Sequence, residues 1–388
     1  MSKSYYVLGL MSGTSIDGVD ASIIQSDGKT KYKAILDKYF EYPKKIYQNL
    51  TKLRNEIKNS KDLKRFEKQI KSIEKEITLF HAKAVNEILK KSKINVDFIG
   101  FHGQTIFHNA KEKISKQLGE GKLLSKLTKK IVIYNFRQND LKNGGQGAPL
   151  TPIFHKLLVE QNKIKTPVII LNIGGITNYT LVYKDIISPI YSGGNWKNKK
   201  KTKQYFLLSG DTGPGNCLID QWIREHSAKL YDKNGKIALS GKINKQIVRN
   251  ALTWTYTQGS YDIKDFNEAF WYFEKLSLKD GAASLAEYTA ETILHYLDFI
   301  FKNNIWNKNL HFLISGGGRK NNFLINRIKK KIKKSVKLID NLKIDGDFIE
   351  SQAFAYLAIR SYLKLPISFP ETTGVREPCN GGTIVKNF

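Results

Sequence analysis

A carboxylate stands directly before two glycines and a proline in the segment LLSGDTGPGN, residues 207–216. Neither a helix nor a strand is expected to continue through this composition, so the backbone should turn at Asp211. In an ordinary turn, the Asp side chain accepts hydrogen bonds from nearby backbone N–H groups. The residues by themselves favour this structural role and leave a chemical role for the Asp211 carboxylate open.

Three glycine-rich turns each follow an apolar, strand-like segment: SGTSIDG at 12–18, NIGGITN at 172–178 and SGGGRKN at 315–321. Glycine at the end of a strand lets backbone N–H groups approach a phosphate, and Ser and Thr add hydroxyl donors. Any one of these turns could be purely structural. Together, with two of them at equivalent places in the chain, they predict a nucleotide-phosphate site. The sequence has neither a Walker A motif nor a Gly-x-Gly-x-x-Gly dinucleotide motif.

The elements that must position these turns alternate between strands and helices. Residues 5–25 are typical of strand, turn and strand, and the same order returns at 166–183, which suggests two related halves. Apolar residues at steps of three and four over 44–92 predict amphipathic helix. The pattern also predicts helices at 217–227 and 281–302. VDFIGFHGQTIFH is expected to be a strand that runs into a polar loop, IVIYNF is a further predicted strand, and LHFLISGGG is expected to be a strand that ends in a glycine-rich turn. Further helices are predicted in APLTPIFHKLLVE and IESQAFAYLAIR. This alternation predicts an α/β fold.

The boundary between the halves is expected near residues 145–166. We therefore predict an N-terminal domain of residues 1–148 and a C-terminal domain of residues 149–388, with packing of the C-terminal tail back on the first domain left open. The segment 184–204 has no clear periodicity, and we predict that it forms an exposed loop.

The composition is that of a globular protein of 388 residues, with 41% hydrophobic and 26% charged residues. The net charge of +29 is mostly carried by Lys spread along the chain, without an aromatic-interleaved basic patch, so no nucleic-acid partner is expected. No apolar run approaches the roughly 20 residues that span a bilayer, and the N-terminal sequence does not match a signal peptide, so we expect no membrane association. Two cysteines provide no disulfide framework, and we predict a cytoplasmic location.

The motifs occur in an order that resembles the anhydro-N-acetylmuramic acid kinases over essentially the whole chain. The matching blocks are GLMSGTSIDGVDA, FHGQT, GGQGAPLTPIFH, NIGGITN, DTGPGN, SGGGRKN, the segment Glu350 to Ala358, and TTGVREP. GGQGAPL and DTGPGN are much more specific than any general kinase signature. The resemblance implies the two-domain, actin-like ATPase fold of sugar kinases and 70-kDa chaperones, with ATP in the cleft between the domains.

The resemblance also assigns roles to the glycine-rich turns. The first phosphate hairpin would consist of Gly13, Thr14, Ser15, Ile16, Asp17, Gly18, Val19 and Asp20. The second hairpin would contain Gly174 and Gly175, and the residues beside adenine and ribose would be Gly316, Gly317 and Gly318. ATP is the implied cosubstrate. Mg²⁺ would be held by ATP and water near Asp17 or Asp20, unless these two side chains only stabilise the turn.

Four polar residues are the implied contacts to the sugar or its lactyl carboxylate: His102, Gln104, Arg137 and Glu350. Guanidinium and amide groups suit an anionic substrate. A purely structural role remains open for His102, and favourable placement at a helix N-terminus is the alternative for Glu350. Family members commonly have Asp where this chain has Asn135, which leaves the details of the sugar site less certain than the reaction.

The implied activity is an ATP-dependent kinase of cell-wall recycling. It would open 1,6-anhydro-N-acetylmuramic acid with water and phosphorylate O6, giving N-acetylmuramic acid 6-phosphate and ADP, with Asp211 as the general base. The alternatives are a nucleotide-gated binding or chaperone-like module on the same fold and a kinase for a related amino sugar. A homodimer is left open as the oligomeric state.

Overall fold

The protein forms two β-sheets with helices packed on both, in a computed structural model that describes residues 3–187, 202–253, 260–301 and 309–388. The strand order of the first sheet is β12-β6-β4-β1-β2-β3, and β5 pairs with β4. Its strands are β1 (Tyr5–Ser12), β2 (Gly18–Ser26), β3 (Tyr32–Glu41), β4 (Phe98–Asn109), β5 (Ile114–Leu118), β6 (Ile131–Tyr134) and β12 (Thr383–Val385).

The second sheet has the order β11-β10-β7-β8-β9. Its strands are β7 (Val168–Ile173), β8 (Ile176–Ile187), β9 (Thr202–Pro214), β10 (His311–Ser315) and β11 (Ser335–Leu338). The pairs β1–β2 and β7–β8 are both antiparallel hairpins, whereas β4 runs parallel to β1 and β10 runs parallel to β7. The repeated strand–turn–strand pattern predicted from the sequence is therefore present in both sheets.

Helices connect the strands, as the alternating pattern predicted. The α-helices are α1 (Lys44–Glu56), α2 (Ser60–Arg65), α3 (Glu67–Ser92), α4 (Gly121–Thr128), α5 (Gln138–Lys142), α6 (Pro152–Gln161), α7 (Cys217–His226), α8 (Lys236–Leu239), α9 (Lys245–Ala251), α10 (Asn267–Trp271), α11 (Leu278–Phe301), α12 (Asn322–Ile332), α13 (Ile349–Tyr362) and α14 (Pro370–Thr373). Short 3-10 helices occur at Lys233–Gly235, Ile263–Phe266, Gly317–Lys320 and Ile339–Leu342. The predicted α/β class is confirmed.

Alternate side chains of β1 face opposite layers, because successive residues of a strand point to opposite sides of a sheet. Leu8 and Leu10 belong to the core formed with α1 and α3, whereas Val7 and Met11 belong to the core that contains α13. A side chain at Gly9 would collide with the backbone of α13, so this glycine permits the helix to lie directly on the sheet.

The C-terminal part of the chain returns to the first sheet. Helix α13 packs against β1, β2 and β4, and β12 pairs antiparallel with β6. The proposed domain division at residues 148 and 149 stays a prediction.

In the first sheet, β4 remains a strand through the residues that were expected to form a polar loop, because pairing with β5 keeps them extended. The structure corrects two further expectations around the second sheet. Strand β9 continues through Asp211 as far as Pro214, so the carboxylate lies on a strand and not on a turn. Pairing with β8 supplies the backbone hydrogen bonds, with an irregularity in register between Thr177 and Asn178. The predicted exposed loop was also too long, because residues 184–187 pair with residues 202–205. The rest of that loop, 188–201, lies outside the described residues.

Candidate active site

The two glycine hairpins meet. A side chain placed on Gly175, in the turn between β7 and β8, would collide with the Oγ1 atom of Thr14, in the turn between β1 and β2. Glycine at this position therefore allows the two turns to lie against each other. The backbone N–H group of Gly215 donates to the carbonyl of Gly175 at 2.9 Å, which joins the end of β9 to the same turn.

The first hairpin is held by side chains from neighbouring elements. Gln104 Nε2 donates to the carbonyl of Gly13 at 2.8 Å, and an Arg54 guanidinium nitrogen donates to the carbonyl of Thr14 at 2.6 Å. Ser15 Oγ donates to Asp17 Oδ1 at 2.5 Å. Hydrogen bonds from α1, from β4 and from within the turn thus fix four residues of the predicted turn.

The third glycine-rich turn lies beside the second hairpin. It follows β10, and Gly316 has φ +77°, a value that glycine adopts readily. A side chain on Gly316 would lie 2.5 Å from Asn172 Oδ1, and one on Gly318 would collide with Ile173. Asn172 Nδ2 also donates to Glu350 Oε1 at 3.4 Å. The structure thus brings two of the predicted nucleotide turns together with Glu350.

Asp211 is buried, with 6% of its surface exposed, but its neighbours are polar. Its Oδ2 atom accepts a hydrogen bond from the backbone N–H group of Tyr261 at 2.9 Å. Burial raises the pKa of Asp211 to about 6, although hydrogen bonds from Tyr261 and Ser260 and the positive charge of Arg137 oppose the rise. The carboxylate is ionised above that pH and is a stronger base than an ordinary Asp.

His102 and Arg137 form a fixed pair. The Nε and terminal nitrogen atoms of Arg137 donate to His102 Nε2 at 3.1 and 2.9 Å, and the other terminal nitrogen donates to the Gly147 carbonyl at 2.9 Å. His102 Nδ1 lies 2.7 Å from the carbonyl of Gly103. Burial and the adjacent guanidinium hold the pKa of His102 well below its usual value, so the imidazole is neutral. Both of its nitrogens are occupied within the protein.

Arg137 lies within electrostatic range of both candidate carboxylates. Burial lowers the pKa of Arg137, whereas the charges of Glu350 and Asp211 raise it. Burial likewise raises the pKa of Glu350, and Arg137 opposes that rise. One basic group therefore interacts electrostatically with both acidic groups of the predicted site.

Two buried side-chain oxygens at the site have no hydrogen-bond partner among the described residues. They are Gln104 Oε1 and Asn178 Oδ1. Asn178 is the residue paired with Asp211 across β8 and β9. Because a buried polar atom without a partner is costly, both oxygens are suited to accept hydrogen bonds from a bound hydroxyl or water.

Several carboxylates crowd around Asp20. Burial, followed by the negative charges of Asp17, Glu350 and Asp347, raises the pKa of Asp20 to about 8, while Lys320 opposes the rise. A nearby cation would favour the ionised form of Asp20. Within the described residues, no group of three or more His, Cys, Asp or Glu side chains is arranged to hold a metal ion.

Comparison with known proteins shows the family to which the chain belongs. The family model of anhydro-N-acetylmuramic acid kinase matches residues 5–198 and 201–387. The chain belongs to the anhydro-N-acetylmuramic acid kinase family. This finding confirms the resemblance seen in the sequence motifs.

Individual members of the kinase family match over their whole length. The chain is 52% identical to an anhydro-N-acetylmuramic acid kinase of Pelagibacter ubique, with 100% of both chains covered, and 34% identical to one of Brucella canis, with 98% of both covered. A solved activator of 2-hydroxyisocaproyl-CoA dehydratase from Clostridium difficile is similar over 91% of this chain and 94% of its own, with 10% identity and a TM-score of 0.42. That likeness is too weak to indicate a function.

Two motifs of the kinase family are joined by a residue that the sequence reasoning missed. Asp140 accepts hydrogen bonds from the Gly147 backbone and from Thr373 Oγ1, both at 2.5 Å. Asp140 thereby joins GGQGAPL to TTGVREP. The specificity of these two blocks was the sequence signal that could have pointed to a residue between them. Arg54 and Tyr261 were missed as well, because their contacts to the site come from segments without a motif.

Asn135, which stands where family members commonly have Asp, is exposed with φ +62°, a conformation that Asn tolerates.

In the described part of the chain, none of the helices has the length and apolar character needed to cross a membrane.

Proposed function

We propose that this protein is an ATP-dependent kinase that converts 1,6-anhydro-N-acetylmuramic acid, water and ATP into N-acetylmuramic acid 6-phosphate and ADP. Family membership supports the substrate and the reaction. The observation that carries the proposal is the contact of the Gly175 and Thr14 turns, which supports one phosphate site formed from two sheets. Asp211 and Arg137 lie within electrostatic range of each other.

Asp211 is the proposed general base. Its carboxylate accepts a proton from water, and the water oxygen attacks the anomeric carbon. The bond from that carbon to O6 breaks, and its electron pair passes to O6. O6 attacks the γ-phosphorus of ATP, and the bond from phosphorus to the β,γ-bridging oxygen breaks to release ADP. Asp211 then loses its proton to solvent. A positioned base typically contributes about 10²- to 10⁴-fold in rate.

The turn residues fit a triphosphate. Backbone N–H groups at Gly13 to Ser15 and at Gly174 and Gly175 are the proposed phosphate donors, and Gly316 to Gly318 the proposed neighbours of the nucleoside. Mg²⁺, when bound with ATP, supplies positive charge against the negative charge that develops on the transferring phosphoryl group. The carboxylates of Asp17 and Asp20 would hold this ion through water, which fits the excess negative charge around Asp20.

The sugar is proposed to lie between Arg137 and the two unsatisfied oxygens. The Arg137 guanidinium would attract the lactyl carboxylate while staying bonded to His102. Gln104 Oε1 would accept a hydrogen bond from a sugar hydroxyl or amide, and Glu350 would orient another hydroxyl. His102 would act through Arg137, because its own nitrogens are occupied. We place the reaction in the cytoplasm, where ATP is available.

The proposal is tested by measuring ADP release from the purified protein with and without the anhydro sugar. ADP should form only when both substrates are present, together with one equivalent of sugar 6-phosphate. Asp211→Asn should lower kcat by about 10²-fold or more while nucleotide binding stays nearly unchanged. Sugar-independent ATP hydrolysis at the same rate would contradict the proposal.

Asp27→Asn is the matched control. It tests the alternative that the Asp211 carboxylate only accepts hydrogen bonds from the backbone. Asp27 Oδ1 accepts hydrogen bonds from the backbone of Lys29, Thr30 and Lys31 at 2.8–2.9 Å, in a turn that carries none of the proposed substrate contacts. This variant should lose stability but keep kcat. Equal losses of kcat in both variants would indicate that Asp211 has only a structural role.

A further inference from the structure

The residue that directly follows the three glycines of the third turn is an almost buried arginine. Arg319 has 5% of its side chain exposed. Its Nε and one terminal nitrogen donate to the two carboxylate oxygens of Asp340 at 2.7 and 3.0 Å. The other terminal nitrogen donates to Asp347 Oδ1 at 2.6 Å and to the carbonyl of Gly316 at 3.1 Å. One guanidinium therefore binds the turn itself and two carboxylates from a later segment.

The later segment closes over the guanidinium. Asp345 also lies within 3.5 Å of Arg319, and a side chain at Gly346 would come within 2.5 Å of its Nε atom. Hydrogen bonds to Asp340 and Asp347 raise the pKa of Arg319 despite burial, so the cation is permanent. A charge-assisted bond with this forked geometry is stronger and more directional than a neutral hydrogen bond.

This segment leads directly into α13. Asp347 precedes the helix by two residues, and Glu350 stands in its first turn. Glu350 contacts Asn172, at the end of β7, and a side chain on Gly316 would lie against the same Asn172. The Gly316–Gly318 turn and the start of α13 are therefore joined twice, once through Arg319 and once through Asn172.

We propose that Arg319 is a positioning residue that holds the Gly316–Gly318 turn in register with Glu350 at the start of α13. Through this contact, the shape of the nucleotide site depends on the segment from Asp340 to Asp347. Arg319 touches no substrate in this account. The inference rests on the proposed function, because it takes the glycine turn as a nucleotide contact and Glu350 as a sugar contact.

Lysine cannot replace this arginine. An ammonium group carries the same charge but cannot donate in a planar fork to both oxygens of Asp340 and also reach Asp347 and Gly316. Loss of the fork should let the glycine turn move while the charge balance of the segment is kept. Arg319→Lys therefore tests the geometry of the contact while keeping its charge.

The test compares Arg319→Lys with Arg327→Lys. Arg327 makes a similar paired contact, donating to both oxygens of Glu287 at 2.5 and 2.7 Å, on α12 and α11. Both variants should show a lower Tm. Only Arg319→Lys should raise the KM for ATP and the Kd for ADP, by about tenfold, which is the scale of one lost charge-assisted bond. We expect kcat at saturating ATP to fall less than threefold.

Three outcomes decide the inference. If Arg319→Lys leaves the Kd for ADP within twofold of the unaltered protein, or if Arg327→Lys raises it equally, Arg319 does not position the turn. If Arg319→Lys does not fold, Asp340→Asn removes one arm of the contact and should raise the Kd for ADP at least threefold; an unchanged Kd would overturn the inference. Since ADP binding is measured without sugar, it tests Arg319 even if the proposed sugar kinase activity is not found.

Discussion

The properties of Asp211 come from groups distant in the sequence. The N–H group that binds its carboxylate belongs to Tyr261, and the nearby positive charge belongs to Arg137. Burial raises its pKa, and these two groups together with a hydrogen bond from Ser260 limit the rise to about 6. Tyr296 lies in the same surroundings, and burial and then the charge of Asp211 raise its pKa to about 12, so this phenol stays neutral near pH 7. The balance yields a base that is ionised at neutral pH yet basic enough to take a proton from water.

At the residue scale we predict that kcat/KM falls at low pH. A general base must be deprotonated, so kcat/KM should be constant well above pH 6 and should fall about tenfold for each pH unit below it. Rates measured from pH 5 to 8 with saturating Mg²⁺ check this, with circular dichroism at each pH to confirm that the protein stays folded. A flat profile down to pH 5 would remove Asp211 from the role of base.

The two glycine hairpins set the geometry at the scale of elements. Each joins two antiparallel strands, so each turn is anchored by a ladder of backbone hydrogen bonds on one side. The two turns lie against each other at Gly175 and Thr14, where the phosphates are proposed to bind. Small changes in this contact should therefore weaken nucleotide binding more than they lower the stability of the fold.

We predict that Gly175→Ala raises the KM for ATP by about tenfold, because the new Cβ would displace the Thr14 hydroxyl from its place between the two turns. Gly174→Ala is the matched control on the same turn, since its Cβ would lie 3.4 Å from the nearest atom, the carbonyl oxygen of Ile176. Steady-state kinetics at varied ATP provide the measurement. A larger effect from Gly174→Ala than from Gly175→Ala would mean that contact between the hairpins is not what matters.

At the scale of the whole molecule, a lysine joins the two halves close to the proposed base. Lys264, in the 3-10 helix Ile263–Phe266, donates to the carbonyl of Ile57 at the end of α1. It also lies 6.0 Å from the centre of the Phe107 ring, and burial lowers its pKa. Tyr261, three residues earlier, binds Asp211. Lys264 therefore joins the end of α1 to the segment that binds the proposed base.

Lys264→Met should weaken this link and lower kcat by about three- to tenfold, the scale of one hydrogen bond from a charged group, while the Kd for ADP changes little. Lys275→Met, at an exposed position, is the control and should leave kcat unchanged. Small-angle X-ray scattering with ADP and sugar should show a larger radius of gyration for Lys264→Met than for the control. Equal kcat in the two variants would contradict the link.

The sequence by itself determined the features that depend on near neighbours in the chain. The glycine-rich turns, the helical character of residues 44–92 and the order of the family motifs were predicted and are present, although the single helix expected over 44–92 is divided into α1, α2 and α3. Strand β9 was predicted poorly, because Gly and Pro at residues 213–215 indicate a turn locally, whereas pairing with β8 keeps the chain extended.

Only the tertiary structure decided which side chains act together. The pKa of Asp211, the occupied nitrogens of His102 and the contacts of Arg319 all depend on groups brought close by folding. No local pattern encodes these distances, because hydrogen bonds and electrostatic fields depend on separation in space and on burial, while sequence patterns record separation along the chain.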